Sequence, residues 1–421
     1  MIACVFEDAA VENLWPLTAT RPVYDIFIGT STLLEKITSK LSGISEVVLF
    51  TRPYLQKIVS EKYVGFPVNR FIEDDEFLLI NGRAVVNKEA AQIIQGISHG
   101  HVLKSRESVV AVRTKASKIS EQVLQSLSGS ISSAELLSLG EHVVEAPVPA
   151  ISFPWDIIQL NAPLLHEEAR GDPLKSNVKG IVFKVGECEI EENVVLDGRK
   201  GPVMLGEGVI VESFSRISGP CFLGDGTKVF SGSSVSGSSI GPVCRVGGEV
   251  EECVFFGFSN KRHYGYVGHS VVGEWVNMGA GTTVSNLKNT YGTIKVNAGG
   301  KKIDTKRQFL GCFIADHAKT SIGCMISGGV KVGVSSHVYQ EVLEDVPSFT
   351  INTPTKKVEL TLESAINTAY RMMERREKWP SQDYLEMLAK LYEITSAERR
   401  SADVKPGKFS FYNSRTSSTH G

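Results

Sequence analysis

Between residues 205 and 246 an aliphatic side chain returns at a fixed interval. Leu205, Val211, Ile217, Leu223, Val229 and Val235 are each six apart, and after a slip of one residue the pattern resumes at Ile240 and Val246. It comes back as Val267, Val272, Met278 and Val284, and a small residue follows many of these positions, as in Leu223-Gly224, Val246-Gly247 and Val284-Ser285. A period of six fits neither the 3.6 of an α-helix nor the 2.0 of a lone strand. It fits a triangular solenoid in which each flat side is one short strand plus one corner. The aliphatic side chain then points inward onto its equivalents in neighbouring coils, and the next residue is small because the backbone turns there. Glycine follows the same map: of 39 in the chain, 28 lie in residues 180–333, nine in 1–179 and none in 334–406.

The flanking regions differ in kind. Ile2–Phe6, Glu46–Phe50, Phe77–Ile80 and Val109–Val112 are short apolar runs separated by weaker helical stretches such as Ser31–Leu41. That alternation predicts an α/β domain with a parallel sheet, whose ligands bind at the carboxyl ends of the strands. After the coils, Leu362, Ile366, Ala369, Tyr370 and Met373 form one helical stripe, and Tyr384, Leu385, Leu388, Leu391 and Tyr392 form another beyond the break at Trp379-Pro380-Ser381. These helices are expected to pack on the last coils. The resulting division is 1–170, 175–345, 350–400 and a disordered tail at 401–421.

Composition narrows the function. Lys plus Arg is 45 against 47 Asp plus Glu, a net charge of −2, which argues against nucleic acid as a partner. No apolar run approaches the ~20 residues of a membrane span, and the acidic Glu7-Asp8 comes too early for a signal peptide. Seven cysteines without a CxxC pair predict a reducing, cytoplasmic setting.

Three N-terminal segments resemble the sugar-1-phosphate nucleotidyltransferases: Leu14-Trp15-Pro16-Leu17-Thr18-Ala19-Thr20-Arg21-Pro22, Leu79-Ile80-Asn81-Gly82-Arg83, and Pro154-Trp155-Asp156-Ile157-Ile158-Gln159-Leu160-Asn161. The resemblance implies nucleotide or sugar-phosphate contacts from Thr18, Arg21, Asn81, Gly82 and Asp156, and Mg²⁺ held through Asn161. The chain also departs from that pattern. Residues 1–28 contain no glycine for a phosphate-cradling loop, Val23 stands where the family has Lys, and Arg83 stands where it has a metal-binding Asp.

In the coils, Asn260-Lys261-Arg262-His263-Tyr264-Gly265-Tyr266-Val267-Gly268, Val276-Asn277-Met278-Gly279-Ala280-Gly281-Thr282 and Ser285-Asn286-Leu287-Lys288 resemble the acetyltransferase half of the GlmU family. That likeness implies a left-handed parallel β-helix, acetyl-CoA as donor, and a homotrimer in which the insertion at 286–309 reaches a neighbouring subunit. It makes His263 the general base, puts Tyr266 and Asn277 on a sugar phosphate with Lys261, Arg262 and Lys288 as nearby cations, and puts Asn286 and Cys312 near the acyl donor. His269 and His317 are expected only to hydrogen-bond locally. Two functions follow: an acetyltransferase fused to a nucleotidyltransferase-like domain, in nucleotide-sugar synthesis of the UDP-N-acetylglucosamine type, or a nucleotide-sugar sensor or scaffold of the same build with degenerate sites.

Overall fold

The computed structural model describes residues 1–72, 75–175 and 178–407. Its first part is a sheet of β1 (Ile2–Asp8), β2 (Glu46–Leu49), β3 (Glu76–Asn81), β4 (His101–Ser105), β5 (Ser108–Lys115) and β6 (His142–Glu145), in the order β2-β1-β3-β5-β4-β6. Pairings β1/β2, β1/β3 and β4/β6 are parallel, and β5 runs antiparallel to both of its neighbours. Helices α1 (Leu33–Lys40), α2 (Gln56–Lys62), α3 (Lys88–Gly96) and α4 (Pro154–Glu167) accompany it. The Thr32 side chain accepts from Glu35 N and starts α1 where the apolar spacing begins.

The middle of the chain is a three-sided parallel β-solenoid. On its first face Val211, Val229 and Val246 stack in register. On the second, Ile217, Val235, Val250 and Val267 do so. On the third, Leu205, Leu223, Ile240, Phe255, Val272, Ile314 and Val332 do so. The six-residue repeat is therefore the inward ladder of each face, and these residues form one buried core. Each such side chain contributes about 1.5–3 kcal/mol. The small residue after each is required by close approach: a Cβ on Gly247 would lie 1.7 Å from Arg262 O.

The same core holds thiols. Burial pushes Cys221, Cys244, Cys312 and Cys324 from 9.0 up to about 12. The unfolded chain loses these protons first, so stability that is full below pH 9 falls as pH rises toward 12, by up to about 1.4 kcal/mol per pH unit for each thiol. Denaturation midpoints at pH 8 and pH 10 should show this fall, and Cys244→Ala should make it shallower; equal slopes would refute the assignment.

Most of the third face is covered. Its outward residues Met204, Phe222, Val254, Phe256, Val271 and Phe313 join Ile26, Phe27, Ile28 and Leu164 of the N-terminal domain in a shared core. Asn161 on α4 accepts from Gly29 N at 2.9 Å and Ser239 Oγ at 2.7 Å, pinning helix, loop and solenoid together.

One expectation changes here and another holds. The insertion at 286–309 carries a hairpin, Lys295–Ala298 against Lys301–Asp304, which folds back on its own chain. Ile294, Val296 and Ala298 alternate with exposed residues and sink into the shared core with Val11 and Leu14. The hairpin tip at Gly299 lies against Asn13. An apolar alternation finds a partner surface within reach, so this hairpin does not project. The C-terminal helices α5 (Leu362–Glu374) and α6 (Gln382–Ile394) flank the solenoid and reach the N-terminal domain: Tyr384 OH meets His317 Nε2 at 2.8 Å, and Glu386 pairs with Lys57 on α2. As expected, these helices pack on the last coils, where Val334, Phe349 and Ile351 share a core with Ala365, Met387, Leu388 and Leu391, and Thr350–Asn352 pairs antiparallel with Lys357–Glu359 beside them. Most of the proposed tail, 408–421, falls outside the described residues.

Candidate active sites

The corner between the first and second faces carries His263, which is exposed. Among the described residues its imidazole makes no hydrogen bond. Three residues on, Tyr266 begins the second face. Its hydroxyl donates to Glu251 Oε2 at 2.8 Å and accepts from Asn286 Nδ2 at 2.7 Å. The Asn286 amide also reaches His269 Nδ1 at 3.0 Å, and His269 Nε2 faces Glu252 Oε2 at 3.3 Å. Burial and the Glu251 carboxylate raise the Tyr266 pKa and hold the phenol protonated, and the His269 contact lowers the Glu252 pKa. Tyr266 and Asn286 are thus a pre-ordered polar pair on one face, beside a free imidazole at its edge.

Asn277 lies elsewhere. It continues the outward ladder of the first face, between Asn260 and Lys319, and accepts from Asn260 Nδ2 at 2.7 Å. Arg262 is exposed and stacks over Phe230 at 4.5 Å, and Lys288 donates to Thr293 O at 2.6 Å.

Two expected contacts are corrected. Lys261 is not a surface cation: it pairs with Val246 in the inward ladder, is 2% exposed, and gives its ammonium to Gly247 O and His263 O, both at 2.7 Å. Burial lowers its pKa to about 8. Cys312 is fully buried in the solenoid core against Ser270, out of reach of an acyl donor. Conversely, Glu251, Glu252 and His269 complete the Tyr266 network and were not singled out as site residues. Stacking the coils exposes the signal, because Glu251 pairs with Gly268 one coil on.

In the N-terminal domain the expected contacts are already engaged. Arg83 is 2% exposed; its guanidinium donates to Asp8 through Nε at 2.8 Å and through Nη2, and to Ile151 O at 3.1 Å. Asn81 Nδ2 donates to Asp8 at 2.8 Å and to Val109 O. Gly82 N donates to Phe6 O, where a Cβ would crowd both that oxygen and the Tyr24 ring. Arg21 is paired with Glu274 and Asp316 of the solenoid, and Thr20 donates to Asp316, so this segment clamps the two domains together. Thr18 is fully buried, with its carbonyl on Arg52. Asp156 accepts from Ser152 N and Phe153 N at the start of α4.

The Mg²⁺ implied by the resemblance does not fit these residues. The Asn161 oxygen accepts two hydrogen bonds, the Asp156 carboxylate caps a helix, and a guanidinium stands beside Asp8. Among the described residues no cluster of three or more His, Cys, Asp or Glu side chains suits a metal ion. A cavity of about 760 Å³ adjoins the Arg83 pair, lined by Lys104, Arg106, Ser108, Glu145, Ser152 and Asp156.

This α/β domain, docked on a hexapeptide-repeat solenoid that carries a His–Tyr–Asn–Asn motif, defines a transferase of two-domain build. Residues 3–171 match the family model of sugar nucleotidyl transferases. A bifunctional sugar-1-phosphate nucleotidylyltransferase/acetyltransferase of Sulfurisphaera tokodaii is 37% identical over 192 residues, 45% of this chain and 44% of that protein. The aligned stretch thus spans less than half of that relative's length. Bifunctional GlmU proteins of Methanocaldococcus jannaschii and Methanococcus maripaludis are 26% and 28% identical, each over 79% of this chain and 92% of the relative. Over most of its length the chain is thus similar to bifunctional GlmU proteins. No helix among the described residues is long and apolar enough to cross a membrane.

Proposed function

We propose that the solenoid half is an acetyl-CoA-dependent acetyltransferase acting on an amino-sugar-1-phosphate or nucleotide sugar, in nucleotide-sugar synthesis of the UDP-N-acetylglucosamine type. The observation that carries this is the unpartnered His263 imidazole beside the ordered Tyr266–Asn286 pair. In the reaction His263 takes the proton of the acceptor amine as its nitrogen attacks the thioester carbonyl. The amide bond forms, the carbon–sulfur bond breaks, and coenzyme A leaves as the thiol. Tyr266 and Asn286 orient the acceptor and the acyl carbonyl. Asn277 faces away on the first face, and a neighbouring copy in a homotrimer would supply the groups that complete each site. The exposed Tyr264, Ile322, Met325 and Leu343 on the second face and its corners support such contact between copies. Light scattering should give a mass near three chains of 45.9 kDa; a monomer would remove the shared-site part of the reading.

The test is free-thiol release from acetyl-CoA with glucosamine-1-phosphate, comparing wild type with His263→Ala. Release by the wild type and its loss in the variant support the reading; equal release by both would overturn the role of His263.

For the N-terminal domain the buried Arg83–Asp8 pair favours a second reading, a domain that binds a nucleotide sugar without nucleotidyl transfer. Its cavity offers Lys104 and Arg106 to a diphosphate. Calorimetry should show binding of UDP-N-acetylglucosamine that Lys104→Glu/Arg106→Glu abolishes, with no pyrophosphate released from UTP and a sugar-1-phosphate. Turnover of UTP would restore the bifunctional reading for this half.

A further inference from the structure

A second polar cavity, of about 270 Å³, lies between the first face of the solenoid and α5. Asn260, Asn277 and Lys319 form its floor, and Arg371, Arg375 and Arg376 its roof. Three guanidiniums and the Lys319 amine, whose pKa burial lowers to about 7, therefore share one cavity whose lining contains no carboxylate. Several other buried or half-buried guanidiniums have acidic partners, Arg21 with Asp316, Arg83 with Asp8, Arg113 with Glu76 and Arg399 with Glu359, whereas Arg245 and Arg307 are satisfied by carbonyl oxygens. Among the described residues, Lys319, Arg371, Arg375 and Arg376 make no ion pair. Lys319 Nζ has only the carbonyls of Trp275 and His317, and Arg376 Nε is buried without a partner. Burial, with Arg245 and Arg375 nearby, lowers the Arg376 pKa.

The helix dipole explains part of this, since cations gather at a helix C-terminus and Arg371 lies in the last turn of α5. It does not explain Lys319 and two amides facing those arginines from a different element. Like charges held together repel unless an anion joins them, and guanidiniums aimed into a cleft match phosphate oxygens in charge and fork geometry. We propose that this cavity binds a small phosphorylated ligand, a phosphomonoester or pyrophosphate, through Arg371, Arg375, Arg376 and Lys319. The volume is at the small end of ligand pockets, enough for such a group and too small for a whole nucleotide sugar. The site is separate from His263 and from the Tyr266–Asn286 face, and shares with the acyl-transfer reading only Asn277.

Isothermal titration of the full chain with inorganic phosphate, pyrophosphate and glucose-1-phosphate tests it, comparing wild type with Arg371→Ala/Arg375→Ala. Both arginines are exposed and make no ion pair, so the double variant should melt with the wild type. The expected result is saturable binding of at least one ligand by the wild type, weakened about tenfold or more in the double variant and at raised salt. Tighter binding of pyrophosphate than of glucose-1-phosphate identifies a diphosphate site, and the reverse a phosphomonoester site. No saturable binding, or binding that the double variant leaves unchanged, overturns the proposal. His263→Ala should abolish thiol release and leave this binding intact, so the two readings fail separately.

Discussion

His263→Ala should lose about 10²–10⁴-fold of acetyl-transfer turnover while its melting temperature stays within about 2 °C of wild type. The two halves of that expectation have separate physical grounds. The imidazole is exposed and makes no hydrogen bond among the described residues, so no buried group loses a partner when it is removed. Only its backbone carbonyl is used, by Lys261, and alanine keeps that carbonyl. The rate loss follows if this nitrogen takes the acceptor's proton, because no other unpartnered imidazole lies on that corner: His269 is held between Asn286 and Glu252. A variant with full turnover would move the base elsewhere, and one that unfolds would mark the corner as structural.

Arg83→Met should cost about 3–5 kcal/mol of stability. The guanidinium and the Asp8 carboxylate are both nearly excluded from water, at 2% and 7% side-chain exposure. Removing the cation leaves Asp8 buried with only the Asn81 amide, while Ile151 O loses a donor. Adding Asp8→Asn to Arg83→Met should recover much of the loss, because the uncompensated charge goes with it. Urea denaturation of the two single variants and the double variant measures the coupling. A loss under about 1 kcal/mol would mean that solvent screens the pair, contrary to its burial.

The solenoid was legible because its period is enforced by geometry: every aliphatic from Leu205 to Val246 that recurs at six is fully buried. The same arithmetic, carried one step further, would have corrected Lys261. Six residues before Val267 is position 261, so the register itself points that lysine inward, and its motif neighbours drew attention away from it. Asn277 was legible in the same way, since it precedes the inward Met278 and must face outward. The fate of the insertion was written in the alternation of Ile294, Val296 and Ala298, which asks for an apolar surface; no local pattern says that the surface is the chain's own N-terminal domain. The N-terminal departures were visible as Val23, Arg83 and missing glycines. That Arg83 would be paired by Asp8, and Arg21 by Asp316 almost three hundred residues away, depends on docking between domains, which residue spacing does not encode.

The aromatic flank formed by Phe222, Phe256 and Phe313 has a practical side. A gene cut between the two halves would leave that flank wet on one fragment and its covering loops stranded on the other. Neither piece should behave as an independent part in recombinant production, and swapping either half with a relative's would have to carry both surfaces together. Whatever division of labour the halves have, they are inherited, made and lost as one object.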